Sequence, residues 1–203
     1  MRQWNKIFKK KGKVFTKIKE DLPKFIALLK KNNSKKILDL GSGSGRHVVS
    51  FAKQGFDAFG IDIAKEGIRI TKSWLKKENL KADLKIGNIY EKLPYPNNFF
   101  DAILTTGVIC HNNIMGIRRT IKEMERVLKP NGLIFVNVRR NRKYKGINSA
   151  KILPFGRERT LCRITGSRTC VPLEGWERGL VHYNFTKETL EKKILLIEDD
   201  PNV

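Results

Sequence analysis

Residues 37–47 read ILDLGSGSGRH: a short apolar run, three glycines spaced two apart, and the entry to a stretch of helical character. The run Lys36–Leu40 has the length and apolarity of a buried strand, and His47–Gln54 carries helical spacing until Gly55 stops it. The same alternation continues outward. Asp57–Ile61 (DAFGI) reads as a second strand, and Lys65–Glu78 as a second helix with Ile68, Ile70, Trp74 and Leu75 on its core side. Asp83–Ile86 is a third strand, and Phe99–Leu104 (FFDAIL), after the turn-rich PYPNN, a fourth. Met115–Leu128 spaces Ile117, Ile121, Met124, Val127 and Leu128 to share a helix face; Pro130-Asn131-Gly132 ends it, and Leu133–Val138 makes a fifth strand. Strands alternating with helices at this spacing predict an α/β fold, a Rossmann-like, doubly wound and mainly parallel sheet. Ligands of such sheets bind beyond the carboxyl ends of the strands, which directs attention to the loops after Leu40, Ile61, Ile86 and Leu104.

The flanks differ in character. The chain has 203 residues and a formal net charge of +22, of which residues 1–36 hold +11 and residues 139–168 hold +9. The near-neutral middle, 34–138, is expected to be the ligand-binding core. Residues 1–33 read as one or two basic helices interrupted near Pro23, and 139–185 as a basic lid or substrate segment without clean periodicity. Residues 186–203 read as a last helix (Thr186–Lys193, with Thr186 as N-cap) and strand (Ile194–Glu198). No window can span a membrane, so no membrane partner is expected. Three cysteines without a CxxC pair argue against a disulfide framework and for a reducing cytoplasm. Cys162, Cys170 and His182 match no standard zinc spacing, so no metal is expected.

Gly41 and Gly43 permit a tight turn and close approach of a ligand to the backbone. The helix beginning at about Gly45 points its amides into the site, and Asp62, at the tip of the second strand, suits the hydroxyls of an adenosine ribose. Dinucleotide sites space their glycines G-x-G-x-x-G, whereas this chain has G-x-G-x-G preceded by Asp39. A pyrophosphate would avoid that carboxylate and a sulfonium or ammonium would tolerate it. The spacing therefore favours S-adenosylmethionine over a nicotinamide dinucleotide.

On these residues, 34–138 resemble the catalytic core of the class I S-adenosylmethionine-dependent methyltransferases, of the methyltransferase domain 11/25 kind. ILDLGSGSG is similar to the family's first motif, GID (Gly60–Asp62) to its second, and ERVLKPNGLIFV (Glu125–Val136) to its post-helix turn. GNIYEKLPYPNNFFDAI resembles the third region, with Asn88 where the family usually sets an Asp against the adenine amino group. The resemblance implies a cofactor site formed by Asp39, Gly41, Ser42, Gly43, Gly45, Asp62, Ile63, Asn88, Ile89, Thr105, Thr106 and Gly107, with S-adenosylhomocysteine as product. It also implies seven strands; with ILLIEDD as the sixth, the sheet is expected to lack the last one.

Methyl transfer is an in-line displacement in which the protein chiefly aligns two reactants, and a base helps where the nucleophile carries a proton. His111, after the fourth strand, and His182, in the HYNF stretch, are the candidate bases; each reads equally as a structural hydrogen-bonding group. Substrate contacts are expected from Trp4, Phe8, His111, His182 and Tyr183, although Trp4 and Phe8 at i and i+4 also read as a helix's core face. Trp74 reads as core. The leading function is methyl transfer to a small-molecule acceptor. An RNA methyltransferase gripping phosphates with its basic segments is one alternative, and a non-catalytic cofactor-binding protein is another. Oligomeric state is left open.

Overall fold

The computed structural model describes residues 2–19, 21–138, 151–155, 158–164, 169–172 and 182–183, the last four stretches as backbone alone. Two helices come first, α1 (Arg2–Lys11) and α2 (Leu22–Lys31). Then follow β1 (Lys36–Leu40), α3 (Arg46–Lys53), β2 (Asp57–Asp62), α4 (Lys65–Lys77), β3 (Asp83–Ile86), β4 (Phe100–Thr106), α5 (Ile114–Val127) and β5 (Leu128–Asn137). Four short strands follow: β6 (Lys151–Phe155), β7 (Glu158–Ile164), β8 (Thr169–Pro172) and β9 (His182–Tyr183). The chain divides into two compact units, one of residues 1–106 and 119–136, the other of residues 107–118 and 137–203.

In the first unit the strands lie in the order β3-β2-β1-β4-β5. β1 is parallel to β2, with Asp39 opposite Gly60, and parallel to β4, with Asp39 opposite Leu104; β2 is parallel to β3. The order runs outward on one side of β1 and jumps to β4 on the other, so the doubly wound sheet expected from the alternation is present, with its switch point between β1 and β4. In the second unit β6, β7, β8 and β9 pair antiparallel in sequence order.

Ile37, Leu38 and Leu40 are fully buried because β1 is covered on both faces, which is why KILDL shows no alternation. Leu22, Phe25 and Leu29 of α2 join Val48, Val49 and Phe51 of α3 and Leu75 of α4 in one core cluster. Phe25 meets Phe135 of β5 at 5.1 Å between ring centroids. On β2 and β4, the strands either side of β1, Phe59 and Phe100 join Tyr95 in a second, edge-to-face aromatic cluster. The Asp101 carboxylate ties β1 to β4 and β5: one oxygen accepts from the Lys35 and Lys36 amides, the other from Lys129 Nζ at 2.7 Å.

Several boundaries differ from the sequence reading. Pro23 does not interrupt a helix; it sits in the first turn of α2, where its missing N–H costs nothing, and the break falls at residues 12–21. The fifth strand begins at Leu128 and runs through Pro130-Asn131-Gly132, with Asn131 at φ +60°, so the turn residues bend a strand. Trp74 is half-buried, its indole N–H donating to Glu78 Oε1 and Lys13 Nζ lying over its ring. Residues 151–183 contain β-strands where no periodicity is legible. The expected helix Thr186–Lys193 and strand Ile194–Glu198, and with them the question of the last strand, lie outside the described residues.

Candidate functional site

The carboxyl ends of β1 and β2 carry the groups that shape the glycine loop. Gly41, Gly43 and Gly45 all have positive φ, at +83°, +55° and +88°, a region open to glycine and costly for other residues. The Gly41 and Ser42 amides both donate to the Ile61 carbonyl, locking the loop to β2. Asp62 closes the turn. Its Oδ2 accepts from the Gly43 amide and its Oδ1 from the Ala64 amide, both at 2.8 Å. Burial pushes this carboxyl up to about 6, and Asp39 nearby pushes the same way, although the amide hydrogen bonds oppose both. Each carboxylate oxygen has a second lone pair, so Asp62 can hold the loop and still accept from a ribose diol.

Asp39 is buried under the loop, and its Oδ2 has no hydrogen-bond partner among the described residues. His47 Nδ1 stands 3.7 Å from it, too far for a hydrogen bond. The Thr105 hydroxyl, on the neighbouring β4, is a second buried orphan. Unsatisfied buried acceptors at the switch point call for a ligand that brings donors, and a nucleoside with an ammonium group does so. The residues present therefore fit the expected cofactor.

Not every expected contact is free. The Ser42 hydroxyl lies toward β2, 3.2 Å from where a Cβ on Gly60 would stand, so Ser42 offers the loop its backbone. Asn88 donates to Glu91 Oε1 at 2.8 Å, and its carbonyl accepts from the Tyr90 amide, leaving one side-chain N–H for a base edge. Ile89 is buried beside it and Ile63 is half-buried. Thr106 is buried, and Gly107 takes φ +68°. Gly107 and half-buried His111 belong to the second unit, where the Gly107 amide donates to Asn137 O and the His111 amide to Val108 O. His182 and Tyr183 are described only as the backbone of β9, His182 paired with Cys170. Among the described residues no cluster of acids, histidines or cysteines could hold a metal.

The N-terminal helix packs against this loop, and its buried Phe8 fits the core-face reading. Phe8 is buried, its ring 3.3 Å from where a Cβ on Gly43 would stand and the same from one on Gly67. Trp4 is half-buried, with its ring centroid 6.4 Å from that of Phe8. Asn5 Oδ1 caps the start of α4 by accepting from the Glu66 amide. Beyond α1, Ser44 Oγ donates to Val14 O, and Arg46 Nη1 donates to the carbonyls of Phe15 and Lys17 at 3.3 and 3.2 Å. Arg46 Nη2 reaches Thr106 Oγ1 at 3.1 Å.

Arg46 and His47 stand at the glycine loop with contacts that the motif reading assigns to neither, although both lie in the quoted stretch. The signal was there: a cation following the last glycine has only the loop and its coverings to bond. Arg46→Gln should release residues 12–19 without unfolding the sheet. Trypsin should then cut after Lys17 several-fold faster, each charged hydrogen bond being worth about 1.5–3 kcal/mol. An unchanged cleavage rate would show that the strap is held elsewhere.

Comparison with known proteins places this geometry. Residues 37–132 match the family described as Methyltransferase domain. The chain is 35% identical over 101 residues to the demethylmenaquinone methyltransferase of Tropheryma whipplei strain Twist, covering 49% of this chain and 40% of that protein. It is 34% identical over 101 residues to the ubiquinone biosynthesis O-methyltransferase of Pelagibacter ubique, covering 50% and 40%. The chain thus spans about two fifths of the length of the curated relatives it matches. In fold it is similar to an S-adenosylmethionine-dependent methyltransferase from Clostridium acetobutylicum, with a TM-score of 0.68 at 14% identity, over 95% of this chain and 85% of that one.

Proposed function

We propose that residues 37–132, which match the methyltransferase domain family, form a class I, S-adenosylmethionine-dependent methyltransferase core, and that the chain transfers a methyl group to a nucleophilic atom of a small-molecule acceptor. The observation that carries this reading is the joint commitment of Asp62 to Gly43 and Ala64 beside the unpartnered Oδ2 of Asp39. One carboxylate shapes the loop and keeps lone pairs for a diol; the other waits for a positive group. When bound, S-adenosylmethionine supplies a methyl carbon activated by its sulfonium and leaves as S-adenosylhomocysteine. The chain's own work is to orient and to exclude water. Asp62 fixes the ribose, Asn88 and Ile89 border the base, and Asp39 with Thr105 and Thr106 faces the amino-acid portion. Phe8 backs the glycine loop from the N-terminal side. His111 and His182 are the groups to take a proton from the acceptor. The relatives named for quinones point to small aromatic acceptors, and the reducing cytoplasm is the compartment this reading assumes; no described helix is long and apolar enough to cross a membrane.

The test uses methyl-labelled S-adenosylmethionine with the full chain and a cell extract, separated into small-molecule, protein and RNA fractions. Label in the small-molecule fraction is expected. Label in RNA would overturn the acceptor class, and cofactor binding with no label anywhere would overturn catalysis.

The raised Asp62 carboxyl adds a pH signature. Its ionised form is the better acceptor for two hydroxyls, so cofactor affinity should rise with pH through a midpoint near 6 and stay flat in Asp62→Asn. For stability the sign is opposite. The folded state holds this proton more tightly than the unfolded chain, whose value is 3.8. The group's contribution is therefore complete below 3.8 and lost as pH rises through about 6. Calorimetric titration of the cofactor across that window checks the first effect, and a wild-type profile as flat as that of Asp62→Asn would remove Asp62 from the ribose.

A further inference from the structure

Four large apolar side chains stand exposed among the described residues, and two of them, Phe15 at 45% and Ile18 at 42%, lie three positions apart between α1 and α2. The segment that carries them is strongly basic: residues 2–19 contain Arg2 and seven lysines and no acid, and Glu20 and Asp21 follow. Lys9, Lys10, Lys11 and Lys17 are exposed. The same segment is tied down on its inner side. Val14, Phe15 and Lys17 give their carbonyls to Ser44 and Arg46. Phe15 is held at φ +56°, a conformation rare for an aromatic residue. The connection is therefore a fixed loop with its main chain turned to the protein and with exposed Phe15 and Ile18 side chains among lysines.

We propose that residues 9–19 dock this protein on the surface of an anionic lipid bilayer. An aromatic and a branched aliphatic side chain among lysines is the composition that enters a headgroup layer: the apolar groups leave water while the long cationic stems keep their charge at the phosphates. Charge complementarity selects this partner. A second copy would bring a like-charged segment to the same place and be repelled. RNA recognition favours stacking faces and guanidinium forks, and Ile18 has no π face while every cation from Lys6 to Lys19 is a lysine. The contact is peripheral. It is independent of the chemistry proposed above and stands or falls on vesicle binding.

The experiment sediments the full chain with vesicles of phosphatidylcholine alone and with added phosphatidylglycerol, at low and high salt. Binding is expected to the anionic vesicles only, weakening with salt. Phe15→Asn with Ile18→Ser should weaken it about tenfold or more, because both apolar groups are lost from the interface; Asn also tolerates the left-handed backbone at position 15. Replacing Lys9, Lys10 and Lys11 by Gln should cost about fivefold per charge removed. Melting followed by circular dichroism verifies that both variants remain folded. Three results would overturn the proposal: no vesicle binding at low salt, binding that survives loss of Phe15 and Ile18, or preferential binding of structured RNA in competition with the vesicles.

Discussion

Asp62→Ala is expected to weaken S-adenosylmethionine binding by about a hundredfold or more, with a smaller loss of stability. The side chain accepts from two backbone amides at 2.8 Å and is nine-tenths buried. Its removal leaves the Gly43 and Ala64 N–H groups unsatisfied at about 1–3 kcal/mol each. It also removes the acceptor for the ribose. Stability falls less than affinity because burial already disfavours the ionised carboxyl, and deleting it relieves that cost. Calorimetric titration and thermal melting on the same samples separate the two effects. Wild-type affinity in the Ala variant would break the assignment of Asp62 to the cofactor and leave it a loop-shaping residue only.

Gly67→Ala carries the second large effect, and its sign opposes helix propensity. In an open helix the change stabilises by about 0.8–1.0 kcal/mol. Here a Cβ would stand 2.6 Å from the Gly43 carbonyl oxygen and 3.3 Å from Cε2 of Phe8. The first obstacle is backbone and cannot rotate aside, so α4 must move off the glycine loop or the loop must deform. Overpacking of this kind costs about 1–3 kcal/mol, and a chain of this size loses about 2–4 °C of melting temperature per kcal/mol. A drop of several degrees is expected, together with weaker cofactor binding because the closest contact displaces Gly43 of the glycine loop. A melting temperature at or above wild type would mean that α4 does not press on the loop.

The parts of the fold that sequence made legible are those where one signal acts locally. β1 and β3 have the expected ends because glycines or polar turns bound short apolar runs. β4 runs two residues past Leu104 because Thr105 and Thr106 are β-branched and continue the strand, a preference the apolar pattern hides. Leu128 reads as helical because it completes the helical face, yet α5 stops at Val127 and Leu128 opens β5. The glycine loop and Asp62 were legible because both stand at fixed offsets from strands. Arg46, His47 and the seat of Phe8 between Gly43 and Gly67 were not, because those contacts join residues far apart in the chain or depend on which way a side chain turns.

The grip on the N-terminal strap is made through carbonyl oxygens of Val14, Phe15 and Lys17, which every amino acid possesses. The anchoring half of the contact, Ser44 and Arg46, lies wholly on the other partner. Those three bonds are therefore indifferent to which side chains stand at 14, 15 and 17, provided position 15 accepts a left-handed backbone. A grafted segment that keeps this backbone path would keep the same three carbonyl anchors beside the glycine loop, whatever its sequence.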